Sequence, residues 1–154
     1  MLNIKNKQQF INLIKPYAIE LQNKIGVPYE FILAQTGLET GFGKSTLFTK
    51  YYNIGGIKAT GTDKFVIMNT KEYINGNLVT IPQKFKVFND LNDSLTGYSK
   101  VLTNRYFKKY QFKTTSPYEY AELLQSGTPK YATDINYISK IKNLIAEVQQ
   151  IINK

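Results

Sequence analysis

The first forty residues carry apolar side chains at helical spacing. Over residues 10–25 these side chains recur at steps of three and four, which predicts an amphipathic helix. Pro16 lies within this stripe, so we expect either a kink or two abutting helices there. Gly26 ends the stripe, and Pro28 is the expected first residue of a second helix whose last turn contains Glu39.

The spacing changes between residues 64 and 88, where β-branched and aromatic residues form short runs. Asn75-Gly76 separates two of these runs, and both positions of an Asn-Gly turn favour positive φ, so a β-hairpin lobe is predicted over about residues 63–88. Further helices are predicted near Ser45–Tyr51, from Asp90 or Asn92 to about Thr103, from Ser116-Pro117 to Ser126, and from an N-cap at Asp134 to Ile152. The pattern is mainly helical with one β insertion, and 154 residues fit a single domain.

The composition excludes several kinds of active site. The chain has no histidine and no cysteine, which excludes Ser-His-Asp triads, Cys-His pairs, and zinc centres built on thiolates or histidines. Any proton transfer must therefore use carboxyl groups, tyrosine or lysine.

The net charge of +9 favours a polyanionic partner. Nucleic acid, anionic lipid and anionic cell-wall polymers are all candidates. One basic cluster is interleaved with aromatic residues, as in nucleic-acid patches, although a solvated basic surface is the simpler interpretation; it comprises Arg105, Lys108, Lys109 and Lys113. No apolar run approaches the roughly 18 residues of a membrane span, and the first ten residues lack the apolar region of a signal peptide.

Glu39 is the strongest catalytic candidate. It ends an apolar helix and precedes two glycines and a phenylalanine, which would partly remove its carboxyl from water while leaving it open to a cleft. Such burial raises a carboxyl pKa towards the range that a general acid needs. The simpler alternative is a solvated glutamate in the last turn of a helix.

The segment around Glu39 also carries a resemblance. Ala34–Ser45, AQTGLETGFGKS, resembles the A-Q-x-x-L-E-S-G-x-G-x-S signature of glycoside hydrolase family 73, the bacterial and phage N-acetylglucosaminidases that cut peptidoglycan. Four further blocks resemble that family in the same order: 52–59, 70–76, 85–95 and 131–137. Gly56 departs from the family pattern, which more often has phenylalanine there, and we expect the cleft to lack that aromatic face.

The resemblance implies a mainly α (α+β), lysozyme-like fold in which the hairpin lobe flanks a catalytic cleft. It implies that Glu39 protonates the glycosidic oxygen and that Glu72 is a base or stabilising carboxylate. If Glu72 activates water, the two carboxyl groups should lie about 6.5–9.5 Å apart, and a spacing near 5 Å would suit a retaining nucleophile. Alternatively, the N-acetyl oxygen of the substrate attacks while Tyr131 orients the amide. Glu72 could also simply pair with Lys84 or Lys86 across the hairpin.

The same family blocks supply candidate sugar-binding residues. Tyrosine rings and amide or ammonium groups suit sugars, which stack on aromatic faces and offer many hydroxyls. The candidates are Asn53, Lys58, Tyr52, Tyr73 and Tyr137. Each has a plain alternative, since a lysine is often solvated and a tyrosine often caps the core.

These observations predict a peptidoglycan-cleaving endo-β-N-acetylglucosaminidase that hydrolyses the β-1,4 bond between N-acetylglucosamine and N-acetylmuramic acid. We expect a monomer without metal or cofactor that binds glycan strands and anionic wall polymers, with nucleic acid not expected. A muramidase or lytic transglycosylase is the alternative enzyme, and a non-enzymatic basic binding domain is the alternative of another class. We expect action on the bacterial cell wall by a phage-encoded protein, one released through a pore, or a trimmed secreted form.

Overall fold

The computed structural model describes residues 1–106, 116–126 and 130–154. Within these ranges the chain is mainly helical and carries a β-hairpin, which confirms the predicted fold class. The helices are α1 (Lys7–Ile25), α2 (Tyr29–Thr40), α3 (Thr46–Tyr51), α4 (Leu91–Val101), α5 (Pro117–Ser126) and α6 (Tyr137–Ile152), the strands are β1 (Phe65–Ile74) and β2 (Asn77–Lys86), and a π-helical segment, Leu102–Tyr106, follows α4. In the part of the chain so described, none of these helices has both the length and the apolar character needed to cross a membrane.

Helix α1 runs through Pro16 without a break, so the expectation of two abutting helices is wrong. Proline removes one backbone hydrogen bond from a helix. Ile14 and Ala18 on either side of it are fully buried in the core, and this packing keeps the helix continuous. The Asn6 side chain caps the start, and Gly26 ends the helix with φ of 78°.

Helix α2 forms the centre of the core. It packs against α1, α5 and α6, and the residues 31–37 are buried around the whole helix. Pro28 lies one position outside the helix, because its ψ of 133° is extended and its carbonyl accepts the first helical bond from the N–H of Ile32 at 3.2 Å. The prediction that Pro28 is the first helical residue is therefore off by one position, whereas Glu39 does fall in the last turn.

Strands β1 and β2 pair in antiparallel register around the predicted turn. Asn75 and Gly76 have φ of 51° and 79°, as an Asn-Gly turn requires. The base of the hairpin is fixed to the loop before it, because the N–H of Lys86 donates to the Ile57 carbonyl at 3.0 Å and the N–H of Ala59 donates to the Lys84 carbonyl at 2.9 Å. The hairpin therefore projects as a lobe from a fixed base.

The sequence predicts the N-caps of α4 and α6, and only the first is confirmed. Ser45 caps α3 and Asp90 caps α4, each through its side-chain oxygen. The prediction of Asp134 as the N-cap of α6 is wrong, because the helix begins two residues later, after Asn136. Asp134 instead accepts the N–H of Asn136 at 2.9 Å and pairs with Lys140, so it orders the approach to α6.

Candidate active site

Glu39 lies at the wall of a cleft formed by the end of α2, the hairpin and the segment before α6. Gly41 turns the chain away directly after α2, with φ of 59°, which leaves space in front of the carboxyl. The pKa of Glu39 is raised from 4.5 to about 7, mainly by burial of the carboxyl. A hydrogen bond from Tyr137 lowers this pKa in part, and the negative charge of Glu72 adds to the rise. A large share of this carboxyl therefore keeps its proton near neutral pH, as a general acid requires.

Tyr137 connects Glu39 to a buried row of polar side chains. Its hydroxyl donates to Oε1 of Glu39 at 2.9 Å and accepts from Nε2 of Gln35 at 3.1 Å. Tyr98 on α4 in turn donates its hydroxyl to Oε1 of Gln35. Tyr137 is only 4% exposed, and Gln35 and Tyr98 are fully buried. Burial and the nearby Glu39 charge raise the pKa values of Tyr137 and Tyr98 well above their ordinary value, so both phenols stay protonated donors.

Gly56 forms the floor beneath the other carboxyl oxygen. A Cβ at this position would lie 3.1 Å from Oε2 of Glu39, and the φ of 64° also favours glycine. Glycine leaves no aromatic face at this position, and it also avoids a side chain that would press on the carboxyl of Glu39.

Tyr131 lies in the segment before α6, next to Tyr137. The two rings stack with centroids 5.9 Å apart and planes at 22°. The Tyr131 hydroxyl donates to the carbonyl of Gly55 at 2.9 Å, which joins this segment to the loop beside Glu39. Tyr131 therefore lies at the cleft wall, with its ring stacked on Tyr137 and its hydroxyl bound to Gly55.

Glu72 lies on β1 and faces the same cleft. Its Oε2 accepts the hydroxyl of Thr133 at 2.8 Å, and the same hydroxyl oxygen accepts the N–H of Tyr73 at 3.0 Å. The alternative of a cross-strand pair with Lys84 or Lys86 is wrong, because Glu72 is opposite Val79 in the register. The two lysines are engaged elsewhere, Lys84 over the Phe65 ring and Lys86 with Asp63 at 3.6 Å.

Six of the eight predicted site residues line this cleft: Glu39, Lys58, Glu72, Tyr73, Tyr131 and Tyr137. Asn53 does not, since it is 1% exposed and its amide donates to the carbonyls of Ile57 and Lys86 and accepts the Ile57 N–H. Asn53 therefore fixes the hairpin base, and its predicted contact with sugar is corrected. Tyr52 follows α3 as its C-cap at φ of 56° and packs partly on the core, and its contact with sugar stays a prediction.

A known family accounts for this arrangement. Residues 15–150 match the model of the glucosaminidase family, described as mannosyl-glycoprotein endo-beta-N-acetylglucosaminidase. The chain belongs to the glucosaminidase family. The resemblance drawn from the five sequence blocks is thereby confirmed.

Individual relatives agree with this assignment. The glucosaminidase domain is 34% identical over 137 residues to the peptidoglycan hydrolase FlgJ of Escherichia coli (strain K12), covering 84% of this chain and 42% of that protein. It is 31% identical over 147 residues to a probable N-acetylmuramidase of Lactococcus lactis subsp. lactis (strain IL1403), covering 91% and 33%. The chain thus spans less than half the length of either curated relative. Among solved structures, a mutant peptidoglycan hydrolase from Sphingomonas sp. A1 superposes with a TM-score of 0.82 at 32% identity, covering 95% of this chain and 98% of that one.

Sequence reasoning missed three polar residues of the glucosaminidase site, of which Thr133 lines the cleft and Gln35 and Tyr98 are buried behind it. Gln35 fell on the apolar stripe of α2, and its signal was a polar side chain in a helix position that must be buried. Tyr98 and Thr133 gave no local signal, because their partners lie 63 and 61 residues away in the chain. The predicted basic cluster, with Lys108, Lys109 and Lys113, lies outside the described residues.

Proposed function

We propose that this glucosaminidase domain is a single catalytic domain that hydrolyses peptidoglycan as an endo-β-N-acetylglucosaminidase. The observation that carries the proposal is a carboxyl group, Glu39, whose pKa is raised to about 7 in a cleft with a second carboxylate, Glu72, on the opposite lobe. Hydrolysis of a glycosidic bond needs a proton on the leaving oxygen and a second group at the other face of the sugar. The proposed bond is the β-1,4 link from N-acetylglucosamine to N-acetylmuramic acid.

In the proposed reaction, Glu39 gives its proton to the glycosidic oxygen as the bond from the anomeric carbon breaks. The Glu39 carboxylate formed by this step keeps the Tyr137 hydroxyl as a donor at 2.9 Å. That hydrogen bond stabilises the charged form, which lies within an otherwise desolvated site. Tyr137 thus helps the acid to release its proton, whereas burial helps it to hold the proton beforehand.

Glu72 is the proposed base. The Thr133 hydroxyl holds one of its oxygens, which leaves the other for a water molecule attacking the anomeric carbon. This route inverts the anomeric configuration. The alternative route uses the N-acetyl oxygen of the substrate, with Tyr131 orienting the amide, and retains the configuration. NMR of the first-formed anomer distinguishes the two routes.

The cleft also carries positive charge that suits an acidic glycan. Lys58, Lys71, Lys100 and Lys130 line it in addition to the lysines paired with Asp63 and Asp134. Lactyl and peptide carboxylates of peptidoglycan are the proposed partners of these ammonium groups. The net charge of +9 would further concentrate the domain on anionic wall polymers, and we propose the bacterial cell wall as its site of action.

The Lactococcus relative, a probable N-acetylmuramidase, makes cleavage of the other glycan bond the second candidate. Mass spectrometry of borohydride-reduced wall digests separates the possibilities by the sugar at the new reducing end. We expect reduced N-acetylglucosamine. Reduced N-acetylmuramic acid would establish a muramidase, a 1,6-anhydro sugar would establish a lytic transglycosylase, and the absence of new ends would leave a binding domain.

A further inference from the structure

The buried pair Tyr98 and Gln35 has no part in the reaction as proposed above. Both side chains are fully buried, and their hydrogen bonds continue to Tyr137 and Glu39. Every donor in this row points the same way: Tyr98 to Gln35, Gln35 to Tyr137, and Tyr137 to Glu39. Because all hydrogen bonds of this buried row run in one donor-to-acceptor direction, the group that fixes that direction is expected within the row itself.

Tyr98 provides the physical cause. An amide can turn by 180°, which would make Gln35 donate to Tyr98 and accept from Tyr137. The Tyr137 hydroxyl would then donate its only proton to Gln35, and Glu39 would lose its hydrogen-bond donor. In that arrangement the hydroxyl of Tyr98 would lose Oε1 of Gln35, the acceptor that it has in the structure, and an unsatisfied buried donor is costly. The Tyr98 hydroxyl therefore selects the observed orientation of Gln35.

The orientation determines which oxygen of Glu39 can carry the proton. Oε1 is the acceptor of the Tyr137 hydroxyl at 2.9 Å, whereas Oε2 lies over Gly56, where no side chain intervenes. We propose that Tyr98 and Gln35 are positioning residues that hold the Tyr137 hydroxyl on Oε1, so that Oε2 of Glu39 delivers the catalytic proton. This inference rests on the proposed function of Glu39 as the acid. The proton passes from Oε2 to the glycosidic oxygen, and Tyr137 keeps its own proton throughout.

A titration of Glu39 in the free protein tests this proposal without any substrate. The titratable groups that face Glu39 are Tyr137 on α6, Glu72 on β1 and, through Gln35, Tyr98 on α4. The carboxyl carbons of ¹³C-labelled glutamate are followed by NMR against pH, with the Glu39 signal assigned by its loss in Glu39→Gln.

Tyr137→Phe removes the donor to Glu39, and the Glu39 midpoint should rise by about one pH unit. Tyr98→Phe leaves Tyr137 intact but frees the Gln35 amide to turn. The midpoint should then rise in the same direction by a smaller amount, about half a unit. Tyr118→Phe is the matched control, because it also removes a tyrosine-to-glutamine hydrogen bond, at 3.1 Å to Gln149, outside the cleft. It should leave the Glu39 titration unchanged.

A Glu39 midpoint in Tyr98→Phe that matches wild type, falls, or moves equally in the control overturns the proposal. If Tyr98→Phe does not fold, Gln35→Met takes its place, since it removes the same link from the other side and should also raise the midpoint. In the variants whose Glu39 midpoint rises, the fall in the rate of glycan cleavage at alkaline pH should shift to higher pH by the same amount. Should the wild-type protein cleave no glycan bond, the proposed function fails, while the titration still decides whether Tyr98 orients the row.

Discussion

Two rows of hydrogen bonds among the described residues start at a tyrosine, pass through a glutamine and end at a glutamate. One runs from Tyr98 through Gln35 and Tyr137 to Glu39. The other runs from Tyr118 on α5 through Gln149 on α6 to Glu30 on α2, at 3.1 Å and 2.8 Å.

The two rows differ in burial and in where they end. The first is almost completely buried and ends at the cleft, where desolvation raises the pKa of Glu39 to about 7. The second is half-buried and ties three helices together at the protein surface. The same groups thus stabilise the fold in one place and prepare an acid in the other, because water screens the second row and is excluded from the first.

The largest difference between the rows should follow from replacing the terminal glutamates. Glu39→Gln keeps the shape of the side chain but cannot donate the proton, and cleavage of purified walls should fall by roughly 10³-fold or more. Glu30→Gln should keep wild-type activity, since Glu30 belongs to the second row, called here the surface row. Initial rates of reducing-end release measure both. Wild-type turnover by Glu39→Gln would remove Glu39 from the mechanism.

The same variant also reports the burial of Glu39 through stability. The folded-state pKa of about 7 lies above the ordinary 4.5, so the stabilisation from its proton is fully present below 4.5 and is lost as pH rises through about 7. An amide has no such loss. The melting temperature of Glu39→Gln relative to wild type should therefore be higher at pH 8 than at pH 5, and an equal difference at both values would indicate a solvated Glu39.

A methyl group at position 56, against Oε2 of Glu39, should have the next largest effect. Gly56→Ala would place Cβ 3.1 Å from Oε2 of Glu39, and a small displacement of a catalytic group lowers kcat by roughly 10- to 100-fold. Gly61→Ala is the control, because its φ of 56° gives the same backbone strain with no atom within 4 Å. Both variants should lose about 1–2 kcal/mol of stability. Equal activity of the two would show that Oε2 is not the working oxygen.

The contact between the hairpin and the segment before α6 should have a moderate effect. Thr133→Val keeps the shape but removes the hydroxyl that holds Glu72 at 2.8 Å, and kcat should fall about tenfold if Glu72 is the base. Thr133→Ser keeps the hydroxyl and should retain most activity. Steady-state kinetics on soluble glycan strands separate kcat from KM. A change in KM alone would assign Thr133 to substrate binding.

The smallest effect should come from the surface row. Tyr118→Phe removes one half-buried hydrogen bond, which is worth about 0.5–1.5 kcal/mol. Urea unfolding should detect this loss, whereas glycan cleavage should be unchanged. A drop in activity would mean that the surface row also communicates with the cleft.

How far the sequence predicts this molecule depends on the range of each interaction. Asn75-Gly76, Asp90 and Ser116-Pro117 act on their own neighbours, and the elements they begin or turn occur as predicted. Glu39 was recognisable because its helix and the following glycines are local too. The partner of Glu72 was not recognisable from the sequence. Charge patterning pointed to a lysine on β2, whereas the observed donor, Thr133, comes from a distant segment.

Asn53 also shows that a contact between distant segments is not predictable from the local sequence. Its place in a family block suggested contact with substrate, but its amide satisfies backbone groups of Ile57 and Lys86 that only folding brings together. Buried backbone groups require such partners, and the chain gives no local sign of which side chain will supply them.

The pH dependence of kcat/KM tests the central claim most directly, namely that Glu39 is the acid. On soluble glycan strands, kcat/KM between pH 5 and pH 9 should fall as pH rises, with an alkaline midpoint at about 7 that coincides with the titration of the Glu39 carboxyl in the free protein. A rate that stays constant to pH 9, or an alkaline midpoint that does not follow Glu39 when Tyr137→Phe raises its pKa, would contradict the account.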